Sequence, residues 1–165
     1  MRQIVGGTGI APVYQFLQRL SRTSDSTTTS DTKAAIKVIY ASRAPSHILI
    51  RDQLDSIASS LGGKATIQYI CDRDDANSGN KQCDIGLIDQ KRLSRYLGLG
   101  QSSTSLWPFS AASDASKFEK KRIGVVCGPE GMVNYIAGPR SLRGPAKAGG
   151  LLAKLGYKDD EIVRL

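Results

Sequence analysis

Two glycine turns hold the residues in this sequence best suited to chemistry. The first is Gly6-Gly7-Thr8-Gly9-Ile10-Ala11-Pro12, directly after a short apolar run. The second is Cys127-Gly128-Pro129-Glu130-Gly131-Met132, at the end of the run Arg122–Cys127. Glycine has no Cβ, so a ligand can come close to the backbone there. A helix that starts at such a turn aims its free N–H groups and the positive end of its dipole at the gap, which suits a pyrophosphate. Thr8 adds a hydroxyl donor. A tight turn that only packs a helix on a strand has the same composition, and the pattern alone leaves both readings open. No GK[ST] follows, which argues against a P-loop. Pro12 stands where the usual dinucleotide fingerprint has its third glycine.

The remaining reactive side chains are few. Cys71, Cys83 and Cys127 match no CxxC zinc spacing, and an odd count is not a disulfide framework. Cys71 and Cys83 read as buried strand-end thiols. The single histidine, His47, opens an amphipathic segment and reads as a helix-start residue; a zinc site or a Ser-His-Asp triad would have to be built around it. No metal site is expected.

These turns need elements to position them, and the 165 residues alternate strand and helix. Arg2–Val5, Ala35–Ala41, Ala65–Cys71, Arg122–Cys127 and Glu161–Arg164 read as strands. Ile10–Arg22 carries apolar residues at Ile10, Val13, Tyr14, Leu17 and Leu20, which is helical spacing. Ile48–Leu61 reads as a helix stopped by Gly62-Gly63, and Asp89–Leu97 as one capped by Asp89 and ended by Gly98. Pro129–Ala137 starts with a first-turn proline, and Gly149–Leu155 is a short helix. The stretch 72–84 is polar and turn-rich. Near-continuously apolar strands alternating with helices predict an α/β fold, a doubly wound five-stranded parallel sheet of order 3-2-1-4-5 with helices on both faces. In that order the first and fourth strands are neighbours. The two glycine turns then become two lips of one crevice at the topological switch point.

Composition bounds the partners. The net charge is +8, gathered at Lys91-Arg92 with Arg95, at Lys117–Arg122, and at Arg140, Arg143 and Lys147. No aromatic residues interleave with these patches, which argues against a nucleic-acid platform. The first two read as solvated faces. Two low-complexity stretches, 21–32 and 101–116, read as surface insertions. No apolar run is long enough to span a membrane, and no secretory signal pattern opens the sequence.

The motifs "GGTGIAP", "HILIRDQLD", "YICDRDD" and "CGPEGM", in this order, resemble ferredoxin-NADP reductase-like proteins, above all their cytochrome b5 reductase branch. "IGLIDQKRLSRYL" and the tail "LGYKDDEIVRL" are similar to that branch as well, so the resemblance covers nearly the whole chain. It implies a nicotinamide-binding domain of an FAD-dependent NADH reductase. Gly7, Thr8, Gly9 and Pro12 match the turn that cradles the pyrophosphate or borders the nicotinamide. Gly128, Pro129 and Met132 match the turn where nicotinamide meets flavin, and Cys127 matches a cysteine beside the hydride path. Asp72 and Arg73 match the place that holds the adenosine ribose. There a carboxylate accepts from a 2′-hydroxyl and repels a 2′-phosphate, so Asp72 favours NADH over NADPH. Arg73, or Ser42-Arg43 after the second strand, could instead pair with a phosphate.

The family carries an FAD-binding barrel, with an Arg-x-Tyr-Ser/Thr motif, ahead of "GGTGIAP". Five residues stand there in this sequence, so it reads as one nicotinamide-binding domain, residues 1–165, that is half of a two-domain flavoprotein and inactive alone. A haem protein is the implied electron acceptor. The tail "AGPRSLRGPAKAGGLLAKLGY" is similar to fungal mitochondrial flavoproteins linked to cytochrome c haem attachment, which implies a mitochondrial location and, for a full-length protein, association with a membrane. A non-catalytic docking module, suggested by the insertions and the basic connection 139–147, is the alternative.

Overall fold

Side chains along a strand alternate between its two faces, so a strand covered on both sides must be apolar throughout. β1 (Arg2–Gly6) sends Ile4 into one layer and Val5 into the other, and both are fully buried. β2 (Ile36–Ser42) splits Ile39 from Val38 and Tyr40, and β3 (Ala65–Cys71) splits Ile70 from Tyr69 and Cys71 in the same way. The computed structural model describes residues 1–24, 36–75, 83–98, 122–140 and 149–165.

Together with β4 (Asp84–Ile85), β5 (Gly124–Cys127) and β6 (Ile162–Arg164), these strands form one all-parallel sheet of order β4-β3-β2-β1-β5-β6. Five of the six carry the order expected from the sequence. The strand count is corrected by β4, a two-residue edge strand inside the polar stretch. A disulfide holds it there. Cys71, the last residue of β3, is bonded to Cys83, just before β4, with Cα atoms 6.3 Å apart. The two cysteines are therefore not separate thiols. Their pairing depends on β4 lying beside β3, which their spacing does not reveal.

One face is covered by α1 (Ile10–Ser24) and α2 (Arg51–Ser60), with Leu17 and Leu54 fully buried on the sheet. The other is covered by α3 (Gln90–Leu97), α4 (Glu130–Ala137) and α5 (Gly150–Lys154), which bury Leu93, Ile136 and Leu152. Asp89 caps α3 as expected: its Oδ1 accepts from Arg92 N–H at 2.7 Å. Two boundaries differ from the sequence reading. α2 starts at Arg51 rather than Ile48, because Pro45–His47 form a 3₁₀ turn and Ile50 takes a left-handed φ of 48°. α1 runs on to Ser24, so the first residues of the Ser/Thr tract are helical. The rest of that tract and residues 101–116, which include Trp107-Pro108-Phe109, lie outside the described residues, as does most of the basic connection 139–147.

The charged patches are corrected in part. Arg92 does not merely face solvent: its guanidinium donates to the Leu87 and Ile85 carbonyls at 3.2 and 2.7 Å. Arg122 donates to Gly156 O at 2.9 Å and lies over the Tyr157 ring. Among the described residues, no helix is long and apolar enough to cross a membrane.

Candidate functional site

β1 and β5 pair side by side, with Val5 opposite Cys127. Their two glycine turns therefore meet at the C-terminal edge of the sheet, and they meet backbone to backbone. A Cβ on Gly9 would stand 2.5 Å from the Cys127 carbonyl oxygen and 2.9 Å from Gly128 N. A Cβ on Gly6 would stand 2.7 Å from the Met132 sulfur. Gly128 combines a φ of 153° with a Cβ position 3.0 Å from Gly6 N, so both its conformation and its surroundings require glycine. The 3₁₀ turn Gly7–Gly9 then runs straight into α1, and the first N–H groups of a helix point out of its N-terminal end. Pro129 leads into α4 in the same way.

The turns open onto a crevice of about 580 Å³, within the range that takes a small ligand or cofactor. Gly7, Ser42, Arg43, Asp72, Pro129 and Met132 line it, which joins residues from three strand ends and the start of α4. Gly9 and Gly128 lie behind this wall, as the two turns' mutual contact. Thr8 and Pro12 are exposed at the start of α1, outside the lining, and Arg73 is exposed beyond Asp72. Cys127 is a free, half-buried thiol at the end of β5, also outside the lining. Ser42-Arg43 and Asp72-Arg73 sit side by side, because the ladder continues past the strands: Asp72 N–H donates to Ser42 O and Arg73 N–H to Arg43 O, both at 3.1 Å.

The sequence reading missed part of the wall. His47 lines the crevice instead of starting a helix. Leu87 and Ile88 come from the loop strapped by Arg92, and Tyr135 comes from α4. Neither the short turn that carries His47 nor the loop that carries Leu87 and Ile88 is long enough to give a periodic signal that would find them. Tyr135 could be read from α4, since it falls on the exposed side of an otherwise apolar helix.

Further bonds hold the wall from behind. Asp75 accepts from Ser46 through both its N–H, at 3.2 Å, and its hydroxyl, tying the loop after β3 to the turn that carries His47. Tyr40 is fully buried; its hydroxyl donates to Gly7 O at 3.1 Å and accepts from Leu49 N–H at 3.1 Å. Burial pushes its pKa up, against the smaller opposite effect of the Leu49 N–H. Tyr69 donates to Asp55 Oδ1 at 2.6 Å under the Arg51 guanidinium. Burial, and then Asp55, hold its pKa far above the usual tyrosine range. Among the described residues, no group of three His, Cys, Asp or Glu side chains is placed to hold a metal.

A crevice at the carboxyl ends of parallel strands, bordered by two glycine-rich turns, fits a dinucleotide, and residues 4–138 match the family described as oxidoreductase NAD-binding domain. The chain belongs to that family. This NAD-binding domain is 29% identical over 164 residues to NADH-cytochrome b5 reductase 2 of Candida glabrata, covering 96% of the chain and 45% of the relative. It is 30% identical to the protein of the same name from Mycosarcoma maydis, covering 98% of the chain and 39% of the relative. Against the NADH nitrate reductase of Petunia hybrida the identity is 27%, with 99% and 14% covered. The NAD-binding domain thus spans less than half the length of these curated relatives. Its fold is shared with the cytochrome b5 reductase domain of Ulva prolifera nitrate reductase, at a TM-score of 0.64 and 22% identity over 99% of this chain and 47% of that one. It is shared too with the CS-b5R domains of human Ncb5or in an NAD+ form, at 0.63 and 16%, over 99% and 35%.

Proposed function

We propose that this domain holds NADH in the crevice between its glycine turns and presents it to an FAD held by a separate flavin-binding domain. The observation that carries the reading is the backbone contact of Gly9 with Cys127 and Gly128. It brings two glycine-rich turns together beside a crevice at the switch point of a parallel sheet, the place where such sheets bind ligands. NADH, when bound, supplies hydride chemistry. The chain supplies placement. The N–H groups at the start of α1, with the Thr8 hydroxyl, are offered to the diphosphate. Asp72, lining the crevice beside Ser42 and Arg43, is proposed to accept from the adenosine ribose and to disfavour NADPH; Arg73 stands behind it. Pro129 and Met132 form the apolar wall for the nicotinamide, and Cys127 is proposed to border the path to the flavin.

The relatives named NADH-cytochrome b5 reductase support an oxidoreductase as the whole protein's activity and a haem protein as its electron acceptor. We read residues 1–165 as one domain of that enzyme. The mitochondrial location is proposed on the tail motif alone; fractionating cells that carry the tagged protein tests it.

Calorimetric titration of the chain with NADH and with NADPH tests the central reading. Binding of NADH, with NADPH weaker, supports it. No binding of either would favour a docking module that keeps a reductase fold.

A further inference from the structure

The Gly7–Thr8 peptide is held from beneath by a side chain that never reaches the crevice. We infer that Tyr40 is a positioning residue for the dinucleotide: its hydroxyl locks the Gly7 carbonyl inward and so keeps the Thr8 N–H facing the bound diphosphate. The inference rests on the NADH reading above and adds a residue to it.

The geometry is specific. The Gly7 carbonyl oxygen accepts twice, from Ile10 N–H within the 3₁₀ turn and from the Tyr40 hydroxyl at 3.1 Å. A carbonyl has two lone pairs, and both are used. The hydroxyl itself accepts from Leu49 N–H at 3.1 Å, which leaves its hydrogen for Gly7. Tyr40 is 0% exposed, so its ring has nowhere else to go.

The lock matters because of what glycine permits. Gly7 has a φ of 54° and no Cβ, so sterics restrain rotation about its ψ little, and the peptide that follows it can tilt unless hydrogen bonds hold it. In a trans peptide the C=O and the next N–H point opposite ways. With the Tyr40 bond gone, the Gly7 carbonyl would be held by Ile10 N–H alone, and a tilted Gly7–Thr8 peptide would turn the Thr8 N–H off the anionic diphosphate. The Leu49 bond extends the brace, because Leu49 precedes the left-handed Ile50 and follows, by two residues, His47 in the crevice wall.

Tyr69 provides the control. It faces Tyr40 across the β2–β3 pair, with ring centroids 6.2 Å apart, and its hydroxyl bonds Asp55 on α2 rather than the turn. Tyr40→Phe and Tyr69→Phe each remove one buried hydroxyl and leave the ring. The experiment is calorimetric titration of the 165-residue chain and both variants with ADP-ribose, which carries the diphosphate, with thermal melting of all three. Amide NMR of the unsubstituted chain follows Thr8 during the same titration.

Y40F is expected to bind ADP-ribose roughly tenfold more weakly, the scale of one hydrogen bond. Y69F is expected to stay within about twofold of the unsubstituted chain while losing comparable stability. The Thr8 amide resonance is expected to move on adding ADP-ribose. Y40F affinity within about twofold of the unsubstituted chain, equal losses of affinity in both variants, or a Thr8 amide that ignores bound ADP-ribose would each overturn the inference alone. The Thr8 result decides even if Y40F does not fold. An unsubstituted chain that fails to bind ADP-ribose would bring down the NADH reading and this inference together.

Discussion

The α-carbon of Gly9 faces the carbonyl of Cys127 so closely that a methyl group between them would lie 2.5 Å from the carbonyl oxygen. Gly9→Ala must therefore push the two turns apart. A stability loss of about 1–3 kcal/mol is expected, the usual cost of overpacking, together with loss of NADH binding. Gly131, one residue into α4, has nothing within 4 Å of its Cβ position. Gly131→Ala should melt no lower than the unsubstituted chain and up to about 1 kcal/mol more stably, since alanine is the better helix former. Thermal melting and calorimetry read both; equal behaviour of the two variants would refute the interlocked turns.

Asp72→Ala should change which dinucleotide binds rather than whether one binds. The carboxylate lines the crevice beside Arg43. Without it, repulsion of a 2′-phosphate disappears and Arg43 remains. The NADPH-to-NADH affinity ratio should rise roughly five- to tenfold, about 1 kcal/mol of charge interaction at the solvent edge. An unchanged ratio from parallel titrations would remove Asp72 from the ribose site.

Much of this site was legible from the sequence because its signals are local. Glycine after an apolar run, then helical spacing, marks a turn whatever its partners, and the strand order follows from alternation. What depends on the partner strand was not legible. Cys71 and Cys83 read as lone thiols because nothing in their spacing shows that β4 lies against β3. His47 read as a helix start because its 3₁₀ turn has the same composition as a helix's first residues. Tyr40 reads as one more apolar strand residue, although its hydroxyl meets a glycine 33 positions earlier.

The disulfide predicts a thiol count. In the unfolded, unreduced chain one thiol, that of Cys127, should react with a colorimetric reagent, and three should react after reduction. Three before reduction would show Cys71 and Cys83 unpaired.

Acid should weaken the far edge of the sheet. Glu161, 8% exposed, accepts from Lys158 N–H at 2.8 Å and lies 3.5 Å from Arg122 Nε. The Lys158 N–H, then Arg122, hold its pKa below the ordinary value of 4.5. A depressed folded-state pKa gives stability that is complete above the unfolded value and lost as pH falls through the folded one. Glu161→Gln should cost about 1 kcal/mol near neutral pH, with the difference vanishing in strong acid. A pH-independent difference between the two melting curves would contradict this.

The contact between Gly9 and Gly128 joins residues 119 positions apart along the chain. During synthesis, β1, β2 and β3 can emerge and pair while the second half of the crevice has not yet been made. The crevice is thus a late event in the chain's history, closed only when β5 joins the free edge of β1. Contacts so distant in sequence pay their loop-closure entropy before they return any stability, which makes their formation slow. A ribosome-bound chain stopped before β5 would carry every residue of the first turn and still have nowhere to hold a nucleotide.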